Sequence, residues 1–519
     1  MPLVLLTLVL GLMTYWVISS RLSKVQTPVP LWLIWVVMMA PVLVFTVWMN
    51  VGDGNPPPAI LLYGLMAAST LFLYTTLVVS NAKAKQRAID AAKQDAANAE
   101  VEDTKAAPDK QARKEPTKPL SRDEETLLQR CFPWSTYYLQ NIEYLPQAMI
   151  CKGKLKTSPG QAYQTVQKNV ESSFGDRFLV LLQAGLNGTP FFALVPNPQA
   201  KNFDHALTAS STPAQIAQIA RQQKLNQKKV TRPVLAVVLA LATLVTTTLV
   251  GSVLVNGTED PAAFQNNPVL LLSGLSYSLS LMFILGVHET GHYLATRYHR
   301  LKATLPYFIP IPFFLGTLGA FIQMRSPMPN RRALFDVGIS GPLSGLVVSL
   351  PILVWGLAQS SIVPLSDASQ LLSFESLDPS RSIALLVMSK LALGSALQAD
   401  SAISLHPLAI SGCLGLIVTA LNLMPVGQLD GGHIVHAMYG QRTAIIISHV
   451  ARVVMLILAY RYQEFLVWAL FLLFVPAAQP ALNDVSELNG PRDFLGLVSL
   501  ALLVVIILPA PASLQGLLL

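Results

Sequence analysis

Five residues in the middle of the chain, His288-Glu289-Thr290-Gly291-His292, place two imidazoles and a carboxylate inside an apolar run from about Val269 to Leu294. Each residue of a helix turns about 100°, so His292 lies roughly 40° around from His288 and one turn on. Both rings can then reach one metal ion. Glu289 falls on the neighbouring side of the same face, where it could hold a reacting water without being a ligand itself. This is the H-E-x-x-H spacing of zinc-dependent peptide hydrolysis. Three ionisable groups within five residues are costly in a hydrocarbon layer, which points to function. The alternative is two histidines hydrogen-bonded inside a bundle core.

A later segment offers the third ligand. Asn422-Leu-Met-Pro-Val-Gly-Gln-Leu-Asp430-Gly431-Gly432-His433 ends an apolar helix of about 405–424. Pro425 and the two glycines break that helix, so Asp430 arrives on irregular backbone at about the depth of the histidines. Three protein ligands would leave a fourth position for water. Read alone, Asp430-Gly431 is equally a turn at a helix end. His433 and His436 are rivals for the third place, although such residues more often satisfy an interfacial hydrogen bond. His299 sits two turns beyond His292, a rise of roughly 10 Å and too far for one ion.

These residues must be held at membrane depth. The chain has 519 residues, 52% hydrophobic and only 12% charged. Its mean hydropathy is +0.49. A soluble domain carries about twice that charge fraction. The expected fold is an α-helical polytopic membrane protein with about 9–10 transmembrane helices and a small α+β cytoplasmic domain. The net charge of +8 collects beside apolar runs, as at Lys224 to Arg232 and Arg297 to Lys302. That pattern speaks for membrane orientation and anionic lipid, not for nucleic acid. Three cysteines without a C-x-x-C give no disulfide framework, so Cys131, Cys151 and Cys413 read as free thiols.

Taken in order, residues 1–81 read as three spanning helices (about 3–19, 30–49 and 59–80), the first of them retained rather than cleaved. With no Arg/Ser-rich transit segment evident, a bacterial protein is favoured over an imported precursor. Residues 82–118 form a polar linker, 119–200 a small α+β cytoplasmic domain and 201–232 a basic linker. Residues 233–519 are the expected catalytic membrane domain. In the α+β domain, Tyr163, Val166, Val170 and Phe174 have helical spacing. The runs 178–182 and 191–195 read as strands joined through Asn187-Gly188. By the positive-inside rule, His288 and His292 lie near the cytoplasmic end of their helix, followed by Arg297, Arg300 and Lys302. Between 303 and 334, Pro306, Pro310, Pro312, Gly316 and Gly319 forbid a regular helix in an apolar stretch. A re-entrant hairpin beside the metal is expected, its edge able to pair with an extended substrate; a membrane-surface loop is the alternative. In the next helix Gly338, Gly341 and Gly345 read as close helix packing.

The combination of His288-Glu289-x-x-His292 with Asn422-x-x-Pro425-x-x-x-Leu429-Asp430-Gly431 resembles the site-2 protease family of intramembrane zinc peptidases. Gly316-Thr-Leu-Gly319-Ala, Phe335-Asp-Val-Gly-Ile-Ser-Gly-Pro-Leu-Ser-Gly345 and Leu482-Asn-Asp-Val-Ser-Glu-Leu488 look like bacterial relatives of the plastid proteases called ethylene-dependent gravitropism-deficient and yellow-green. The resemblance covers roughly residues 120–515. It implies cleavage of transmembrane protein substrates in or beside their membrane helices, within a bacterial inner or internal membrane. It also implies that Zn2+ is held by His288, His292 and Asp430, with Glu289 as base. Asn422 would stabilise the oxyanion or hold substrate backbone, and Gly316 and Gly319 belong to the substrate-facing stretch. The soluble domain departs from its relatives' Gly-Asn-Leu-Arg by reading Gly153-Lys154-Leu155-Lys156. A metal-ion transporter and a non-catalytic scaffold of the same fold are the competing classes. The first should show inverted repeats, which are not evident, and the second has no need of Glu289.

Overall fold

A computed structural model describes residues 30–51, 120–197 and 232–518, apart from short stretches within those ranges, together with residues 65 and 72. The expected helix at about 3–19, all but residues 65 and 72 of that at 59–80, the linker 82–118, most of 201–232 and the turns at 257–266 and 365–377 lie outside the described residues. The chain divides into two compact units, Met1–Pro116 and Thr117–Leu519. In the first, α1 (Leu31–Val51) spans 21 residues that are apolar apart from Thr46 and Asn50.

The second unit begins with an α+β region. Helix α2 (Arg122–Arg130) has Asp123, Glu124 and Glu125 in its first turn and Arg130 in its last, the order that a helix dipole favours. It is followed by β1 (Tyr137–Leu145), β2 (Ala148–Leu155), α3 (Pro159–Phe174), β3 (Phe178–Ala184) and β4 (Pro190–Pro196). The strands make one antiparallel sheet of order β1-β2-β4-β3. Helix α3 buries Ala162, Tyr163, Val166 and Val170, a single stripe at helical spacing. That stripe meets Leu128, Tyr137, Cys151, Leu182 and Phe192. Tyr137 and Phe192 pack edge to face with centroids 4.9 Å apart. Strands β1 and β2 escape sequence pattern because β1 bulges between Leu139 and Asn141, interrupting its alternation. Gly153 sits opposite that bulge, where a Cβ would fall 2.2 Å from the Tyr138 carbonyl oxygen.

The rest of the unit is mostly helical. In chain order it holds α4 (Pro233–Asn256), α5 (Leu275–Tyr298), the hairpin β5 (Tyr307–Pro310) and β6 (Thr317–Phe321), and α6 (Arg331–Ala358). Next come β7 (Ser361–Pro364), α7 (Ile383–Leu393), β8 (Ser401–Ser404), α8 (Pro407–Leu423) and α9 (Asp430–Tyr439). The chain closes with α10 (Gln441–Arg461), α11 (Leu466–Phe474), α12 (Gly490–Ile507) and α13 (Ala512–Leu518). Among the described residues of this unit, five helical stretches are long and apolar enough to cross a membrane: Pro233–Asn256, Val269–Tyr298, Arg331–Ala358, Gln441–Arg461 and Gly490–Ile507. This is a multi-pass membrane protein. The apolar run at about 405–424 yields α8, a helix of 17 residues that starts at Pro407 and ends two residues before Pro425. Its Ala409, Ile410, Gly412, Leu414 and Leu416 are buried, so it is largely sheathed by other helices instead of by lipid.

Helices α5, α6 and α8 pack mutually. The Ser280 and Ser411 hydroxyls hydrogen-bond between α5 and α8 at 2.6 Å. The backbones of α6 and α8 approach so closely at Gly412 that a Cβ there would lie 2.6 Å from Leu353 Cα. Strands β5 and β6 pair antiparallel, with Tyr307 opposite Phe321 and Phe308 opposite Ala320. The proline- and glycine-rich stretch is therefore an extended hairpin. It is anchored by Thr246 of α4, whose hydroxyl donates to the Gly316 carbonyl at 2.7 Å. Tyr277 of α5 donates to the Leu315 carbonyl at 3.0 Å.

Cys131 and Cys151 are both buried and free. Burial pushes the Cys151 thiol up to about 12. Burial also raises Cys131, with the Ser173 hydroxyl pulling the other way. Thiolate is the reactive form, and a pKa near 12 leaves about one thiol in ten thousand ionised at pH 8. In a Cys413→Ala background, neither cysteine should react with a maleimide at pH 8 until the protein is denatured. Rapid labelling of the native protein, followed by mass spectrometry, would contradict the buried-thiol arrangement.

Candidate metal centre

Helix α5 brings His288, Glu289 and His292 to one buried face. One ligand atom from each lies within 4.8 Å of the others. The two ring centroids stand 5.0 Å apart, the planes inclined at 68°. His292 Nδ1 is 2.7 Å from the Val337 carbonyl oxygen on α6. A carbonyl can only accept, so Nδ1 carries the proton and Nε2 presents a lone pair. The backbone amide of Ile322, just past the end of β6, lies near the Glu289 carboxylate. The end of the hairpin and the acid are thus neighbours.

Asp430 joins this group from the other side. Its Oδ2 lies 3.2 Å from His292 Nε2 and 3.7 Å from His288 Nε2. The local fold that delivers it depends on glycine. A Cβ at Gly431 would fall 1.9 Å from the Leu423 carbonyl oxygen, and one at Gly432 would fall 2.2 Å from that of Gly427. Only bare backbone lets the first turn of α9 tuck beneath the end of α8. Asp430 is the first residue of α9, where a carboxylate also complements the helix dipole. Asn422, in the last turn of α8, brings its Nδ2 to 3.1 Å from His288 Nε2.

The donor set fits a first-row divalent ion. Two imidazole nitrogens and a carboxylate oxygen bound tetrahedrally at about 2.0–2.1 Å would be separated by roughly 3.4 Å. The observed separations from Asp430 bracket that value. Space is kept by α6. A Cβ at Gly341 would lie 2.1 Å from His292 Nε2, and one at Gly345 would lie 2.9 Å from His288 Nδ1. These glycines do more than let helices approach: they clear the room that the rings and an ion need. A sequence signal was present, because both pairs are four residues apart on helices that face each other.

The remaining sequence candidates divide. His436 is buried and bonded through Nε2 to Asp484 at 2.9 Å, away from the metal group. His433 packs beside Gly338 on α6, where an added Cβ would come 3.2 Å from its own Cβ. His299 bonds to Asp336 at 2.9 Å. Gly316, at φ 79°, is pressed against Thr247 of α4, where a Cβ would come within 2.5 Å of the Thr247 Cα. Gly319, at φ 97°, faces open space. Sequence reasoning did not single out Val337, Ile322, Arg331 or Asp484.

Residues 276–460 match the model of Peptidase family M50, a stretch that contains every residue of the group. Residues 126–202 match the EGY3 middle domain. The chain is 32% identical over 257 residues to "Probable zinc metalloprotease EGY1, chloroplastic" of Arabidopsis thaliana, covering 48% of this chain and 46% of that protein. It is 27% identical over 389 residues to "Probable zinc metalloprotease EGY2, chloroplastic" of the same plant, covering 74% and 64%. "Probable zinc metallopeptidase EGY3, chloroplastic", also from Arabidopsis thaliana, is 29% identical over 225 residues, covering 41% and 39%. The chain thus spans less than two thirds of the length of these relatives.

Replacing Gly341 by alanine should drive a methyl group into His292 and weaken metal binding by about 10–100-fold, the usual cost of disturbing a ligand's support. Gly490→Ala, where nothing lies within 4 Å of the added carbon, should bind normally. Chelator competition on the purified proteins measures both; equal affinities would show that α6 does not shape the site.

Proposed function

With residues 276–460 belonging to Peptidase family M50, we propose that this chain is a zinc-dependent intramembrane endopeptidase. It would hydrolyse peptide bonds in or beside the transmembrane helices of membrane proteins. Residues 233–519 would form the proteolytic unit and 119–200 its soluble appendage. The observation that carries this reading is the meeting of the Asp430 carboxylate with both imidazoles at 3.2 and 3.7 Å, with Glu289 alongside.

His288, His292 and Asp430 would hold the zinc. The ion, when bound, supplies a Lewis acid that polarises a carbonyl and acidifies water. The Val337 carbonyl keeps His292 in the ligating tautomer. Glu289 takes the proton of the attacking water and returns it to the departing amine as the C–N bond breaks. The Asn422 amide donates to the carbonyl oxygen as charge develops there, or holds substrate backbone. Substrate must be extended to react, since a helix hides its carbonyls in internal hydrogen bonds. The β5–β6 hairpin would receive it by strand pairing, with Gly319 on the open side. The nearness of Ile322 to Glu289 supports that placement, because it sets the end of a strand beside the base.

Arg297, Arg300 and Lys302 follow the metal-bearing end of α5 and support a site near the cytoplasmic face of a bacterial inner or internal membrane. The same charges would orient the chain in a plastid membrane, the compartment printed in its relatives' names.

Glu289→Gln should retain zinc while cleavage of a single-span reporter falls by at least about 100-fold. Wild-type cleavage by that variant would remove Glu289 as the base. Asp430→Ala should lose zinc by metal analysis; full retention, with loss in His433→Ala instead, would move the third ligand.

A further inference from the structure

Residues 481–484 run as an extended segment bridged on one side to β3 and on the other to the residues that lead into α6. On one side, the Leu182 amide of β3 donates to the Leu482 carbonyl at 2.7 Å, and the Asp484 amide donates to the Leu182 carbonyl at 3.0 Å. The Gln183 side chain adds a bond to the Ala481 carbonyl at 2.8 Å. On the other side, the amides of Leu482 and Asn483 donate to the carbonyls of Met328 and Pro329 at 2.8 and 3.0 Å. Asn483 is thereby bridged in parallel to both Leu182 and Asn330. Asn330 caps α6 by accepting from the Ala333 amide at 2.9 Å.

Asp484 turns this segment into a clamp. Its carboxylate is buried, and one oxygen, Oδ1, accepts from two helices. Arg331 Nε at the start of α6 donates at 3.2 Å, and His436 Nε2 on α9 donates at 2.9 Å. Helix α6 carries the carbonyl that orients His292 and the glycines that make room for both rings. Helix α9 begins with Asp430. The two helices that must be in register for metal binding are therefore pinned to a single oxygen. That oxygen sits on a segment that the soluble sheet holds.

We propose that Asp484 is a positioning residue that sets Asp430 against the two imidazoles, and that the soluble domain acts on the metal site through the 481–484 segment. This rests on the metallopeptidase reading and deepens it by assigning the soluble domain a regulatory role. A buried acceptor shared by two donors cannot be moved without leaving one of them unpaired. Motion of the β3 edge is thus passed to α6 and α9 together.

The test compares full-length wild type with Asp484→Asn, Asp484→Glu and Gln183→Ala by three readouts. These are zinc affinity by chelator competition, the visible spectrum of the cobalt(II)-substituted protein, and hydrogen exchange of residues 430–439. Asp484→Asn should weaken metal binding by about 10–100-fold, alter the cobalt spectrum and speed exchange in α9. Asp484→Glu, which keeps a charged acceptor, should recover part of the affinity. Gln183→Ala, remote from the ion, should shift affinity the same way by a few-fold, and it carries the test if Asp484→Asn does not fold. Wild-type affinity, spectrum and exchange in Asp484→Asn, or in Gln183→Ala should it stand alone, would overturn the proposal. If wild type binds no metal yet Asp484→Asn still loosens α9, the metallopeptidase reading fails and the clamp stands.

Discussion

A carboxylate and two imidazoles are costly to bury among apolar helices, and the fold is arranged to let them meet. Asp430 reaches within 3.2 and 3.7 Å of rings carried by a helix far away in sequence. Neither charge nor ring could sit alone in hydrocarbon without a large desolvation penalty. Their mutual contact and the Val337 carbonyl together satisfy what the lipid cannot. Helix α6 runs between the two contributing segments and touches both, so it acts as the ruler of the site.

Irregular backbone appears where chemistry requires it and is secured where it appears. The hairpin is tied to α4 and α5 by side-chain bonds to its carbonyls at Gly316 and Leu315. The break between α8 and α9 is closed by glycine contacts too tight for any side chain. A second ionic group fastens the ends of three helices: Arg492 of α12 grips Asp336 of α6 at 2.7 and 2.8 Å, and His299 after α5 bonds the same carboxylate. Such a bidentate pair fixes direction as well as distance.

Much of this was legible in sequence, for physical reasons. The shared face of His288, Glu289 and His292 follows from helical periodicity, whereas Asp430 reads equally as a turn residue until it is set beside the histidine pair. The hairpin follows from residues that cannot remain helical in an apolar layer. The α+β region is legible through α3, β3 and β4, whose alternation is clean, and less so through bulged β1. What sequence concealed was pairwise. Gly341 and Gly345 look like packing until the rings opposite them are placed. His436 looks like a ligand candidate until Asp484, 48 residues on, is found beside it. Long-range partners of single polar residues leave no periodic trace.

The matched spacing of Gly341 with His292 and of Gly345 with His288 binds the two helices as hand and glove. Volume on one side is exchanged for volume on the other, so neither position of a pair is free to drift alone. Among proteins sharing this scaffold, any that has traded an imidazole for a smaller group gains a void opposite the matching glycine. A bulkier residue can settle there, and once it has, the way back to a metal-binding histidine is sterically closed. Loss of the ion along such a lineage would be a ratchet, readable from the helix that carries no ligand at all.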